Sequence, residues 1–216
     1  GGERGLYKST DGGKTWTVSL EISKDTGVTS AELDPSNPDI LYAAAYQRRR
    51  TVAAFMGGGP ESAIHKSEDA GKTWRKLTVG LPTGDVGKIG LAVSPIDPRV
   101  VYATMEASPD ERGFYRSADK GESFEKRNSM ISGGTGPHYY QEIFADPNVF
   151  DRVYQMAPAM VVTNDGGKTF RPVGEKSKHV DNHAMAFQPG EPDYILNGND
   201  GGVYESRDGG KNWRFF

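Results

Sequence analysis

The stretch Ser67-Glu68-Asp69-Ala70-Gly71-Lys72-Thr73-Trp74 is one of five versions of an eight-residue motif in this chain of 216 residues. Each version has Ser or Thr first, Asp third, Gly fifth and an aromatic residue last. The motif aspartates are separated by 58, 50, 46 and 43 residues. Such a period is typical of an array built from one supersecondary unit. The five aspartates are Asp11, Asp69, Asp119, Asp165 and Asp208.

The motif has the chemistry of a tight hairpin turn. A carboxylate can accept hydrogen bonds from the N–H groups of the turn, Gly permits a positive φ, and the Ser or Thr hydroxyl bonds locally. The aromatic residue is expected to pack back over the hairpin. We therefore expect all five aspartates to be structural, and we reject a catalytic role for them.

The sequence around each motif predicts four short strands per repeat. Around Asp69 these are residues 28–33 and 40–45, which Pro-containing turns separate, followed by 63–66 and 74–77. Four-stranded antiparallel units in tandem, without helical periodicity, predict an all-β fold, a β-propeller segment of about four and a half blades. Within one segment spanning residues 1–216, we expect a half blade at 4–20 and blades at about 26–79, 86–128, 138–173 and 179–214.

The ends of this array are expected to be unpaired. One predicted strand precedes the first motif, and the last motif ends three residues before the final residue, Phe216. The ring then could not close by strand exchange between its ends. We expect the missing blades to come from other chain segments or from a partner subunit, because open sheet edges and bare blade faces favour association.

Composition excludes several classes of function. A formal net charge of -3 provides no general field for nucleic acid, and the basic run at residues 48–50 is short. The absence of cysteine excludes disulfides and thiolate sites, and no apolar run is long enough to span a bilayer. Residues 57–59 are three glycines, but no Lys-Ser/Thr pair follows them, so a phosphate loop and an organic cofactor are not expected.

Four further stretches carry a resemblance to a known family: residues 46–50 (YQRRR), 57–62 (GGGPES), 179–184 (HVDNHA) and 197–202 (NGNDGG). With the five motifs, they make the whole chain resemble the bacterial neuraminidase-repeat, or Asp-box, propellers of the sortilin-like "glycosyl hydrolase" type. The resemblance implies an exported bacterial protein, periplasmic or secreted, with its Asp-box hairpins on the outer lower rim. The hydrolase label follows from the fold and is not evidence of chemistry.

Propeller topology places the loops after the fourth strand, and those between the second and third strands, on one ligand-binding face. We expect function at these loops, which are the non-repeated segments 47–62, 80–87, 105–113, 128–139, 174–183 and 197–201.

A group near the fourth blade has the composition of a metal site. His179, Asp181 and His183 are two residues apart at the expected start of an innermost strand, so strand alternation would point all three to one side. Such a set could bind a divalent metal such as zinc. The alternative is a polar network that holds the strand to its neighbour.

Several other residues are candidates for ligand binding. At matching positions of the first strands the repeats diverge to polar and aromatic types, which include Tyr140 and Asn182, and Glu142 follows close behind. The long insert 47–62 combines cations with apolar groups, and it is expected either to dock a partner or to be a solvated loop. Its cations are Arg48, Arg49 and Arg50.

Asp200 is the one candidate for catalysis. Its segment looks like the aspartate-containing segment of xyloglucanase-type propeller hydrolases, but a tight turn capped by Asp200 is the leading explanation of this segment. Glycoside hydrolysis needs a second carboxylate about 5 to 9.5 Å away. A sialidase would need three arginines from separate blades and a Tyr–Glu pair; Tyr140 and Glu142 fit the pair, but the arginines at 48–50 are consecutive. Candidate second carboxylates are Asp85, Glu106, Asp110 and Glu142.

These observations favour a non-catalytic binding or scaffold module that recognises a protein, a peptide or a glycan through its upper loops. The alternative is a glycoside hydrolase, xyloglucanase-like or sialidase-like, or a metal-dependent hydrolase that uses the histidine group.

Overall fold

The computed structural model describes residues 3–131 and 138–216. In these residues the regular structure consists of β-strands alone. The described part of the chain therefore contains no helix that could cross a membrane. The prediction of an all-β fold made of four-stranded antiparallel sheets is confirmed.

The strands form one hairpin and four sheets, and within each sheet the hydrogen-bonded neighbours follow chain order, except that one short additional strand of the first sheet pairs only with the second strand. The hairpin comprises β1 (Leu6–Lys8) and β2 (Thr17–Leu20). Blade 1 comprises β3 (Thr26–Asp34), β4 (Asn37–Arg50), β5 (Phe55–Gly57), β6 (Ala63–Ser67) and β7 (Arg75–Lys76). Blade 2 comprises β8 (Ile89–Val93), β9 (Val101–Met105), β10 (Gly113–Ser117) and β11 (Glu125–Asn128). Blade 3 comprises β12 (Ile143–Ala145), β13 (Val153–Gln155), β14 (Val161–Thr163) and β15 (Arg171–Pro172). Blade 4 comprises β16 (Asn182–Phe187), β17 (Ile195–Asn199), β18 (Gly202–Ser206) and β19 (Arg214–Phe215).

The blades pack face to face through aromatic and aliphatic side chains. Blade 2 lies between blades 1 and 3, and every residue of β8 and β9 is buried because these blades cover its two faces. In β16, by contrast, three of six residues are exposed. The core between blades 3 and 4 is built from methionines and rings such as Tyr154, Met160 and Trp213. Aromatic residues thus supply much of the apolar area that a chain with 35% hydrophobic residues must bury.

Each Asp-box aspartate forms its hydrogen bonds within its own hairpin. The Ser67 hydroxyl donates to Asp69 Oδ1 at 2.9 Å, and the same oxygen accepts the Thr73 N–H at 2.8 Å. Asp69 Oδ2 accepts the Thr73 hydroxyl at 2.7 Å. The Thr73 N–H and hydroxyl lower the pKa of Asp69 to about 2. The same pattern recurs around the other aspartates, Asp11, Asp119, Asp165 and Asp208.

The fifth residue of the motif must be glycine for two reasons. Gly167 has a φ of +90°, which side chains disfavour, and a Cβ there would lie 2.1 Å from Cδ1 of Phe114 in the preceding blade. The hairpin of blade 3 therefore contacts blade 2 through the bare glycine backbone. The residue before this glycine is also left-handed in all five motifs, and two of these residues are not glycine: Ala70 and Lys120, both at +59°.

The insert of blade 1 differs from expectation. We expected a loop over residues 47–62, but β4 continues through Arg50 and pairs back with β5. Arg48 lies opposite Gly57, and Arg50 lies opposite Phe55. The strand continues because no proline or glycine interrupts it before the turn at 51–54. The insert therefore begins with a β-hairpin.

Candidate functional site

The loops that join the second strand to the third, and one blade to the next, open at the same end of the sheets because strand direction alternates. We call this end the upper face. The Asp-box hairpins join the third strand to the fourth and lie at the opposite end. The predicted ligand-binding residues are therefore separated from the motif that defines the fold.

Tyr140 is the centre of the upper face between blades 3 and 4. Its hydroxyl donates to Asp181, and its ring stacks on His183 at a centroid distance of 5.3 Å and an angle of 5°. Burial, the hydrogen bond to Asp181 and the charges of Asp181, Asp200 and Glu142 raise the pKa of Tyr140 to about 12. At neutral pH the phenol therefore keeps its proton and acts as a donor. We call these five residues the Tyr140 cluster.

Lys88 connects this cluster to blade 2. Its ammonium group donates to Glu142 Oε1 at 2.6 Å and to the carbonyl oxygen of Tyr139 at 3.3 Å. Lys88 and Glu142 also line a cavity of about 130 Å³, together with Thr29 and Gln141. First strands of three blades, or the residues just before them, thus meet around this cavity. From the alignment of the first strands we expected the repeats to differ in residue type, with polar residues at matching positions. In these three blades, such polar residues lie around the cavity where the first strands meet.

Asn182 was predicted to bind ligand, but the structure gives it a positioning role. It is fully buried, and its amide donates to the carbonyl oxygens of Ala157 at 3.0 Å and Pro158 at 3.1 Å. The ammonium group of Lys178 donates to Asn182 Oδ1 at 2.5 Å and pairs with Glu175. Asn182 therefore ties the start of β16 to the loop of blade 3 and does not reach solvent.

The geometry expected of His179, Asp181 and His183 is not found. β16 begins at Asn182, Asp181 has a left-handed φ of +73°, and the register shifts at His183, so simple alternation fails. The His179 ring contacts the carbonyl oxygen of Val180 at 2.7 Å instead. Within residues 3–131 and 138–216, no three His, Cys, Asp or Glu side chains are grouped to hold a metal ion. Asp181 and His183 belong to the Tyr140 cluster instead.

Asp200 lies at the exposed tip of the hairpin between β17 and β18. We expected Asp200 itself to cap this turn, but Asn199 Oδ1 accepts the Gly201 N–H at 2.9 Å. The Asp200 carboxylate is therefore free of the capping role and acts on the Tyr140 hydroxyl through its charge. It is the most accessible carboxylate of the Tyr140 cluster.

The hairpin of the insert contacts this part of the upper face through the ring of Phe55. Phe55 lies 5.0 Å from the ring of His138, which lies 4.1 Å from the ring of Tyr139. Phe55 is 47% exposed and Tyr139 is 54% exposed. We call these three rings the aromatic row. The sequence offered a signal for it, three consecutive ring residues at 138–140, that motif analysis did not use.

One predicted loop is only partly described. Of residues 128–139, positions 132–137 lie outside the described residues. Among the carboxylates proposed as partners of Asp200, Glu142 belongs to the Tyr140 cluster, whereas Glu106 accepts the Lys88 N–H at 3.2 Å in blade 2. Burial raises the pKa of Glu106.

Comparison with known proteins agrees with this architecture. The BNR/Asp-box repeat family matches residues 7–18. The xyloglucanase Xgh74A of Acetivibrio thermocellus is 26% identical over 98% of this chain and 28% of its own length. A xyloglucanase of Paenibacillus sp is 24% identical over 95% and 22%, so the chain spans about a quarter of these relatives.

Solved structures share the fold. The GH74 xyloglucanase from Xanthomonas campestris superposes with a TM-score of 0.56 and 14% identity, over 97% of this chain and 39% of its own. YCF48 from Cyanidioschyzon merolae superposes with a TM-score of 0.56 and 17% identity, over 96% and 65%. YCF48 bound to D1 peptide gives 0.51 and 13%, over 91% and 68%.

Proposed function

We propose that this chain, a segment of a BNR/Asp-box β-propeller, binds a glycan across its upper face. The observation that carries the proposal is the juxtaposition of the aromatic row with the Tyr140 cluster. Lys88 joins the two, since it donates to the backbone of Tyr139 and to the carboxylate of Glu142. Exposed rings and fixed polar groups thus lie on one continuous surface.

This combination matches the chemistry of a sugar chain. Pyranose rings present C–H faces that pack on aromatic rings, and their edges carry hydroxyl groups that donate to carboxylates. Ligand sites combine apolar or aromatic walls with a few oriented polar groups. The relatives named xyloglucanases are consistent with a glycan ligand. The neighbour bound to a peptide makes a peptide the competing ligand in the test.

Glycoside hydrolysis is the second candidate function, because the relatives found by sequence are named xyloglucanases. Asp200 would be the catalytic carboxylate, since it is exposed beside the Tyr140 hydroxyl. Asp181 or Glu142 would supply the second carboxylate that both hydrolytic mechanisms require.

We further propose that the protein acts outside the bacterial cytoplasm and that further blades complete its propeller ring. Xyloglucan is a polymer too large to enter a cell, so a protein that binds such a glycan would act outside the bacterial cytoplasm. Further blades, from the same chain or from a partner subunit, would cover the exposed face of β16.

Isothermal titration of the full chain with xyloglucan oligosaccharides tests glycan binding. We expect saturable binding that Tyr139→Ala weakens at least tenfold, about 1.4 kcal/mol. Trp16→Ala is the matched control, because Trp16 is 61% exposed on an Asp-box hairpin at the opposite end. Equal effects of the two substitutions, or binding of a peptide but of no oligosaccharide, would refute the proposal.

Release of reducing ends from the same oligosaccharides tests the second candidate. Hydrolysis that is lost in Asp200→Asn, with binding retained, would assign catalysis to Asp200. Binding without hydrolysis would leave the chain a glycan-binding segment.

A further inference from the structure

Three guanidinium groups surround one cavity beside the hairpin of the insert. The cavity has a volume of about 400 Å³ and is lined by Arg4, Arg48 and Arg50 together with Tyr46 and the backbone near Thr29. We propose that this arginine pocket binds the carboxylate of an acidic sugar. The sugar as the source of the carboxylate rests on the proposed function, whereas the pocket itself rests on the observations below.

The backbone explains why these side chains meet. Alternation along β4 places Arg48 and Arg50 on one face of the strand and Arg49 on the other. Arg4 comes from the segment before β1 and lies over Gly27, where an added Cβ would be 3.9 Å from its own Cβ. Arg4 Nη1 donates to the carbonyl oxygens of Asp25, at 2.8 Å, and of Arg48. The position of this guanidinium is therefore fixed by backbone bonds, while its other nitrogens can serve a ligand.

Among the residues that the structure describes, no ion pair neutralises the arginines of the pocket. Within the described ranges, none of the salt bridges involves Arg4, Arg48 or Arg50, and no Asp or Glu lines the cavity. Cations buried elsewhere are paired, as Lys66 is with Glu122 at 2.8 Å. Three neighbouring guanidiniums repel one another, and an anion would remove that cost.

Two of the residues that line the pocket carry a buried donor without a hydrogen-bond partner among the described residues. Tyr46 is 4% exposed, and its hydroxyl has no hydrogen-bond partner among the described residues. The Nε atom of Arg48 is also buried and unpartnered there. Leaving a buried polar group unsatisfied is costly, so native proteins rarely do so without a function.

A carboxylate on a sugar fits the chemistry and the position. Guanidinium groups recognise planar carboxylates with two parallel hydrogen bonds. The volume suits one sugar ring. Phe55 lies 5.6 Å from Arg48 Cζ and 5.0 Å from the ring of His138, so the pocket adjoins the aromatic row. A glycan on the row would place an acidic residue in the pocket.

Titration of the full chain with sodium D-glucuronate, followed by calorimetry, tests the pocket directly. We expect saturable binding that weakens at high salt, with no binding of D-glucose. Arg50→Gln should weaken binding tenfold or more, because it removes a hydrogen bond between oppositely charged groups. Arg49→Gln removes the same charge from the other face of the same strand and should change the affinity less than twofold. Both arginines are exposed, so equal melting temperatures confirm that both variants fold.

The outcomes separate this inference from the proposed function. Binding of neutral oligosaccharides without binding of glucuronate would overturn the pocket and leave the function standing. Binding of glucuronate alone would support the pocket and refute a neutral glycan ligand. Equal losses in the two arginine variants, tighter binding of inorganic phosphate than of glucuronate, or binding of a peptide carboxylate in place of glucuronate would each overturn the carbohydrate carboxylate site.

Discussion

Replacing Gly167 by alanine would place a methyl group inside the ring of Phe114. The new Cβ would lie 2.1 Å from Cδ1 and 2.5 Å from Cε1 of that ring, and Gly167 has a φ of +90°. Gly190 is a matched control, because its φ is +85° and an added Cβ would meet nothing within 4 Å. The two substitutions share the backbone strain and differ in the clash.

The expected costs follow from these two contributions. A left-handed alanine costs about 1–2 kcal/mol, and the smaller entropy of the unfolded chain offsets about 0.4–1 kcal/mol of this. Gly190→Ala should therefore lower the free energy of unfolding by about 1 kcal/mol. Overpacking adds about 1–3 kcal/mol, so Gly167→Ala should lower it by about 2–4 kcal/mol.

Urea unfolding followed by circular dichroism measures both values, and a double-mutant cycle with Phe114→Ala identifies the clash. Phe114 is fully buried, so its truncation alone should cost about 3–5 kcal/mol. In that background Gly167→Ala should cost only about 1 kcal/mol, as at Gly190, because the ring is gone. Equal costs at the two glycines, or a cost at Gly167 that persists without the ring, would refute the close approach of the hairpin to blade 2.

Three further predictions concern acid stability and the upper face. Since folding lowers the pKa of Asp69 from 3.8 to about 2, its carboxylate stabilises the fold above pH 4, and this contribution should be lost as pH falls toward 2. The melting temperature should therefore fall less across that range in Asp69→Asn than in the unmodified protein. An equal dependence of melting temperature on pH in the two proteins would contradict the stabilising role of the Asp69 carboxylate. Asn182→Ala should lower the free energy of unfolding by about 1–3 kcal/mol in urea, because Lys178 loses a buried acceptor; a neutral effect would show that the buried amide is dispensable. Tyr140→Phe keeps the ring on His183 but removes the hydrogen bond to Asp181. Calorimetry should therefore show severalfold weaker glycan binding, with a loss of only about 1 kcal/mol in the free energy of unfolding. An unaltered affinity would show that the Tyr140 hydroxyl does not take part in glycan binding.

The Asp-box hairpins could be predicted from the sequence because their chemistry is local. All partners of Asp69 lie within four residues of it, so an eight-residue motif contains the whole structure. The spacing of the motifs then indicated the blades. The hairpin of the insert was missed because cross-strand pairing between Arg50 and Phe55 depends on register, which no local motif specifies.

The candidate site was predictable in its parts but not in its assembly. The sequence singled out Tyr140, Asp181, His183 and Asp200, yet alternation failed to place them, because one left-handed residue and one register shift turn successive side chains to new directions. Arg4 carried no signal, since it meets Arg48 across 44 residues of chain. Contacts of that range come from the packing of whole blades.

Because every Asp box satisfies its carboxylate within its own eight residues, each duplicated blade brings a complete turn with it, and at the lower rim only packing contacts such as that of Gly167 with Phe114 must be kept. The different numbers of residues between motifs then correspond to upper-face loops of different length, of which the long hairpin of blade 1 is an example. The Asp-box hairpin is therefore the constant end of each blade, and the upper loops are its variable end. Evolution, or protein engineering, could exchange one recognition loop for another while the Asp-box end of the blade stays the same.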